Sequence, residues 1–330
     1  MKKLAILCAL ALSLSGCSAA PSKKTYSIGV AVYDGSDTFI SSICDTLSSE
    51  AEKDGIHVSI TDAGRSQLNE NDQVNDLIDD GADILCINLV DRSATSTIIN
   101  AAMDKNIPVI FFNREPVQSD LTRWEKLYYV GADAEESGRL QGQIAANWLA
   151  THPEADRNQD GIIQYYILEG EPGHQDTIIR SETAVSTLDE AGISLEKAGY
   201  AICDWQRDEA YDKTSQLIKD GTYIELLLCN NDEMAAGAVQ AYDDAGISMD
   251  MRPAIAGIDG TKEGISLVNS GKIIGTVYNN YKDQAEKIYQ LADALMNNKS
   301  LQDLNLQDGH SYYSSYQKIT PDNVSSFLGQ

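Results

Sequence analysis

Short runs of apolar and β-branched residues alternate along this chain with segments whose apolar residues recur every three or four positions. Residues 27–33 (SIGVAVY) form the first run and predict a strand. Behind it, Phe39, Ile40, Ile43, Cys44, Leu47 and Ala51 fall on one helical face, with Asp37 placed to cap the helix. Strands are predicted again at 57–61, 84–90 and 107–112, with helices around Val74, Leu77 and Ile78 and across 98–103. The pattern restarts beyond Tyr128-Tyr129-Val130-Gly131, with strands at 164–168, 199–203, 224–229 and 254–258. Helices at 139–149, 180–191, 213–219 and 234–245 separate them. Unbroken apolar strands alternating with helices predict parallel sheets covered on both faces. Two such series predict an α/β protein of two doubly wound parallel-sheet lobes.

In sheets of this kind ligands bind beyond the carboxyl ends of the strands, so the polar residues there are the candidate site. They are Asp37 and Phe39, Asn88 and Asp91, Asn113, Arg114 and Glu115, then His174, Asp176 and Arg180. Asp204 and Trp205, Asn230, Asn231 and Asp232, Asp259 and Asn279 complete the series. Any one Asp or Asn reads equally well as a turn former or cap; the recurrence at successive strand ends favours a shared site. Planar amides, carboxylates and a guanidinium exchange directional hydrogen bonds with neighbouring hydroxyls. Aromatic rings offer flat apolar area to the C–H patches of a pyranose. With no glycine-rich phosphate loop beside them, these residues suit a sugar.

Composition narrows the alternatives. The chain carries a formal charge of −25, which argues against a nucleic-acid partner, since phosphate neutralisation needs clustered Lys and Arg. At the N-terminus, Lys2 and Lys3 precede an apolar run over 4–14 broken only by Ser13. That run falls short of the roughly 20 residues that span a bilayer and reads as a signal peptide. Leu14-Ser15-Gly16-Cys17 resembles the lipobox of bacterial lipoproteins. The resemblance implies a diacylglyceryl group on the Cys17 thiol and cleavage after residue 16. Removal of 1–16 leaves 314 residues with a charge of −27, since Lys2 and Lys3 are the only charges lost. Residues 17–25 would then be a lipidated tether that holds the protein to the outer side of the cell membrane, and two acyl chains anchor stably where one does not. Cys44, Cys86, Cys203 and Cys229 are widely spaced in apolar segments and are expected to be buried free thiols; no Cys/His spacing indicates zinc.

The strand-end residues also carry a family resemblance. Asn88-Leu-Val-Asp91, Phe111-Phe-Asn-Arg-Glu-Pro116, Glu171-Pro-Gly-His174 with Asp176 and Arg180, Asn230-Asn-Asp232 and Gly275-Thr-Val-Tyr-Asn279 together resemble the periplasmic D-galactose/D-glucose-binding proteins, within the type I periplasmic-binding-protein fold. The resemblance extends over about residues 26–327. It implies that Asp37 accepts sugar hydroxyls, that Phe39 and Trp205 stack on opposite faces of the ring, and that Asn88, His174, Asp176, Arg180, Asn231, Asp259 and Asn279 complete the ligand set. Gln175 stands where the family has a proline, a departure expected to loosen its loop. The implied substrate is glucose or galactose, and Asp37 suits either C4 epimer. The family's topology implies a hinge of three crossings near Gly131, Asn279 and Ser314. One lobe would then hold 26–131 plus 279–313 and the other 132–278 plus 314–330.

Asp156-Arg-Asn158-Gln-Asp160-Gly-Ile162-Ile-Gln164 places oxygen side chains at positions 1, 3 and 5 and glycine at 6 of an EF-hand-like loop, with the Ile162 carbonyl available beyond them. Position 12 is Ile167 instead of glutamate, so the site is either incomplete or completed from elsewhere. The resemblance implies the second, with Gln164 and the remote Glu225 finishing a structural Ca2+ site. Paired carboxylates near a sugar also describe a glycosidase, but no nucleophile motif accompanies Asp37, Asp176 and Asp259, so no enzyme is expected. A sugar-responsive repressor would need a basic helix-turn-helix before the first strand, where a leader stands instead. The expected partners are an ABC permease or, alternatively, a membrane chemoreceptor or sensor kinase. The protein is expected to be a monomer that touches the membrane through its lipid alone.

Overall fold

The computed structural model describes residues 26–329; the expected leader and the whole expected tether, Cys17 included, lie outside them. In chain order the strands are β1 (Ser27–Val32), β2 (His57–Asp62), β3 (Ile84–Asn88), β4 (Val109–Phe112), β5 (Leu127–Ala132), β6 (Ile163–Glu169), β7 (Leu195–Ile202), β8 (Leu226–Cys229), β9 (Ala254–Ala256), β10 (Thr276–Tyr278), β11 (Ser311–Ser314) and β12 (Gln317–Ile319). The helices are α1 (Thr38–Lys53), α2 (Gln67–Asp79), α3 (Ser96–Lys105), α4 (Gln118–Leu121), α5 (Ala134–Thr151), α6 (Gln175–Glu190), α7 (Arg207–Asp220), α8 (Asp232–Asp244), α9 (Lys262–Asn269) and α10 (Tyr281–Met296).

Two sheets result. The first runs β11-β5-β4-β3-β1-β2, and all its pairings are parallel. Its strands are hydrophobic on both sides because helices cover both. Val30, Val32 and Cys86 face α1 and α10, whereas Ala31, Leu85 and Ile87 face α2 and α3. The second sheet, β7-β6-β8-β9, continues through parallel bridges Ala256–Gly275 and Asp259–Tyr278 to β10, which pairs antiparallel with β12. Leu227 and Cys229 face α7, α8 and α9, and Leu226 and Leu228 face α5 and α6. The chain passes from one sheet to the other after β5, after β10, and between β11 and β12. Each lobe is therefore assembled from segments distant in sequence.

Helix ends depart from the apolar pattern where caps set them. The helix expected from 139 begins at Ala134, behind Asp133, whose side chain accepts from Glu135 N. The one expected from Arg180 begins at Gln175, capped by His174. The strand expected from residue 107 begins at Val109, after Pro108, which has no N–H to donate. The pattern did not single out α9, α10, β10, β11 or β12. Among these, α10 closes the first lobe by packing Ala285, Ile288 and Leu291 into the same core as Ile40 and Leu47. Cys44, Cys86, Cys203 and Cys229 are buried and unbonded.

Candidate ligand-binding site

The candidate ligand residues sit at or just beyond the carboxyl ends of strands, except Arg180 in the second turn of α6, and the two sheets turn those ends toward each other. The core of the cleft is lined by Tyr33, Asp37, Phe39, Asn113 and Arg114 from the first lobe, and by His174, Asp176, Arg180, Trp205, Asn231 and Asp259 from the second. Eight of the ten expected residues are therefore in its wall. Asn88 and Asn279 are not. Asn88 is fully buried and donates to Phe112 O and to Asn113 Oδ1. Asn279 donates to Asp259 Oδ1 and accepts from Gln284. Each is hydrogen-bonded to a lining residue.

Several of these groups are also caps, so the local reading and the site reading are true together. Asp37 Oδ1 accepts from Phe39 N and Ile40 N at the start of α1, while its Oδ2 accepts from Tyr33 Oη at 2.7 Å. Asn231 caps α8 through Met234 N and donates to Trp205 O. A cap fixes a side chain's rotamer and leaves it lone pairs for a ligand. The backbone here is unusual as well. Asn113 (φ 60), Asp204 (φ 47), Trp205 (φ 67) and Asp259 (φ 111) all lie in the left-handed half of conformational space. Such residues cost of order 1–3 kcal/mol each and persist where the surroundings over-determine them.

Arg180 organises the charge. Its guanidinium lies 2.9 Å from Asp176 and 3.9 Å from Asp259, and donates to Asn230 O and Tyr316 Oη. Burial raises the carboxyl pKa of both aspartates, Asp259 the more strongly, and the Arg180 charge opposes the rise. For Arg180 burial pulls the pKa down, but Asp176, Tyr316 and Asp259 more than restore it, so it stays charged. Burial, with Arg114 and Arg180 nearby, drives the His174 pKa well down. Its Nδ1 accepts from Asp176 N, so the neutral ring carries its proton on Nε2 and donates from there.

The lobes touch across the cleft. Thr38 Oγ1 donates to Glu233, Arg65 to Asp204 O, Arg114 to Glu171, and Gln175 Nε2 to Asn113 O. Through the last contact the Gln175 amide reaches the other lobe. In this closed arrangement the core measures about 30 Å3, room for a couple of waters. It opens on one flank into a chamber of about 320 Å3 that shares Asp37, Phe39, Trp205, Asn231 and Asp259. Four buried polar atoms around the core have no partner: Asn88 Oδ1, Arg114 Nε, Gln175 Oε1 and Arg180 Nε. Buried polar atoms are mostly paired, and four of the seven unpaired ones among the described residues gather here, with donors on Arg114 and Arg180 of the wall and acceptors on the adjoining Asn88 and Gln175, which marks a place for a polar molecule. Tyr33, Asn113 and Arg114 were absent from the expected ligand set. Asn113 and Arg114 were visible as strand-end residues, whereas Tyr33 looked like the last apolar residue of a strand.

The second expected site lies at the far edge of the second lobe. Asp156, Asn158, Asp160, Ile162 and Gln164 share one turn, with Asp156 accepting from Asp160 N and Gly161 N. Glu225 reaches it from the start of β8 and accepts from Arg157 N and Gln164 N. Asn158 and Gln164 turn their amide nitrogens toward Asp160 Oδ2. Rotating both amides by half a turn presents oxygens instead, so the donor set fits a hard cation. Among the described residues no three His, Cys, Asp or Glu groups already converge on one point.

A cleft between two α/β lobes, lined from the carboxyl ends of both sheets, is the architecture of a binding protein of the type I periplasmic fold. A family model for a periplasmic binding protein domain matches residues 28–300, and the chain belongs to that family, whose members act outside the cytoplasm. The D-galactose/methyl-galactoside binding periplasmic protein MglB of Haemophilus influenzae is 36% identical over 304 residues, 91% of each chain. The ribose import binding protein RbsB of Bacillus subtilis is 26% identical over 280 residues, 85% of each. Among solved structures, an ABC transporter solute-binding protein of Bacillus halodurans C-125 with bound myo-inositol aligns with a TM-score of 0.78 at 26% identity, covering 93% of this chain and 99% of that one.

Proposed function

We propose that this protein captures D-glucose or D-galactose between its lobes and hands it to an ABC importer. The observation that carries the reading is the cleft's mixture of orphaned donors and acceptors flanked by Phe39 and Trp205. Hydroxyl groups donate and accept at once, so a polyol satisfies both kinds of orphan, and a pyranose also offers C–H faces to the two rings. The similarity to a galactose-binding relative supports a hexose over the pentose and the cyclitol named for the other two. Sugar contacts from both lobes stabilise the closed state, and binding shifts an open–closed equilibrium. The three crossings near Gly131, Asn279 and Ser314 are where the backbone would flex.

Calorimetric titration of the protein lacking residues 1–17 against glucose, galactose, ribose, arabinose and myo-inositol tests the ligand. Binding of ribose or inositol alone overturns the hexose assignment and leaves the family standing. The same reading gives the loop at 156–164, with Glu225, a structural Ca2+ that would pin an edge of the second lobe. It also gives Cys17 a lipid anchor, which mass spectrometry of the membrane-extracted protein would detect as a diacylglyceryl adduct.

A further inference from the structure

We infer that the Arg114–Glu171 ion pair is a specificity wall, assembled only when the lobes close, which confines the site to a free monosaccharide and rejects glycosides with bulky aglycones. The inference rests on the sugar reading above. Arg114 follows β4 in the first lobe and Glu171 follows β6 in the second, so the pair exists only across the closed cleft. Arg114 lines both the core and a second chamber, of about 610 Å3, which shares no lining residue with the chamber beside Trp205 and Glu233. Glu171 lines that chamber alone. The pair thus stands between the core and a space large enough for a substituent.

The arginine is held from several directions. Its guanidinium lies 3.6 Å from the centroid of the Tyr33 ring, donates to Val90 O, and donates to Glu171 with its other terminal nitrogen. Tyr33 is itself fixed by its hydroxyl on Asp37. A planar fork held in this way does not swing aside at low cost. A hexose that occupies the core together with the chamber on the Trp205 side lets the pair form. A glycoside whose aglycone points into the chamber keeps Arg114 and Glu171 apart and leaves a nearly buried guanidinium without its carboxylate. Specificity built from such an unpaired charge acts against the wrong ligand without touching the right one.

The test compares glucose and galactose with their α- and β-phenyl glycosides in the wild type, Glu171→Ala and Glu171→Gln, by calorimetry. In the wild type the phenyl glycosides should bind at least about 100-fold more weakly than the free sugars. Glu171→Ala should narrow that ratio by about tenfold or more, mainly by releasing the glycoside penalty, and Glu171→Gln, which keeps the bulk but removes the ion pair, should release much of it as well. Glu171 lies in a loop and is about a third exposed, and the denaturation midpoint of each variant checks that it folds. A ratio unchanged in Glu171→Ala, or a wild type that binds phenyl glycosides as well as free hexose, overturns the wall and leaves the sugar reading intact. Absence of hexose binding in the wild type overturns the sugar reading, and the wall with it.

Discussion

Replacing Arg180 with Met keeps most of the volume of a nearly fully buried side chain and removes its charge. In the native cleft one guanidinium faces Asp176 at 2.9 Å and Asp259 at 3.9 Å, and both carboxylates are more than nine-tenths buried. Their carboxyl pKa values are raised by burial and held in check by Arg180. Without it, two buried carboxylates lose their common partner, and Asn230 O and Tyr316 Oη lose a hydrogen bond each. Breaking a buried pair on one side costs about 3–5 kcal/mol. The sign of the pH dependence follows from the raised values. A carboxyl with a folded pKa above its unfolded one contributes stability that is complete below the unfolded pKa and is lost as pH rises through the folded one. In Arg180→Met the folded values move further up, so the gap between wild type and variant opens as pH rises. Urea unfolding should show a loss of about 3–5 kcal/mol near pH 8, shrinking by roughly 2 kcal/mol near pH 5, where the carboxyls protonate. An equal loss at both pH values would refute the claim that Arg180 acts by neutralising these two groups. Hexose affinity should fall below detection throughout.

Trp205→Ala should weaken hexose binding by about 1–3 kcal/mol, and unchanged calorimetric affinity would remove Trp205 from the site. A Cβ at Gly170 would lie 2.2 Å from the indole, so Gly170→Ala should displace the ring and shift tryptophan fluorescence. Adding Ca2+ to chelator-treated protein at about 100-fold its dissociation constant should stabilise it by about 2.7 kcal/mol, and Glu225→Gln should abolish the rise in melting temperature; a chelator-insensitive wild type would dismiss the metal. Burial lifts the Asp232 carboxyl to about 7 despite hydrogen bonds from Thr276 and Thr261. Its contribution is therefore lost as pH rises through 7. Between about pH 6 and 8 the wild type should lose about 1 kcal/mol relative to Asp232→Asn, measured by denaturant unfolding.

Much of this protein was legible in its sequence because local patterns carry local physics. The apolar runs at Val30 and Leu227 could only be strands buried on both faces, and the rule that ligands gather beyond strand ends singled out Asp37, His174, Trp205 and Asp259 before any fold was known. Periodicity also placed α1, whose six apolar positions are its buried face. The pattern failed where a neighbour far along the chain supplies the reason. The helix α10 belongs to the first lobe although it follows β10 of the second, and only packing against α1 shows this. Tyr33 reads as the last residue of a strand, and its role appears once Arg114 lies over its ring and Asp37 accepts its hydroxyl. Asn88 and Asn279 match the expected type, and only the folded chain shows that they hydrogen-bond Asn113 and Asp259 of the wall. Above all, no sequence pattern sets Arg114 against Glu171. The sequence determined the strands, their polar ends and the kind of chemistry they bear. Which of those ends face each other across the cleft was decided by chain crossings between the lobes, since contacts between distant segments depend on the packing of both sheets together.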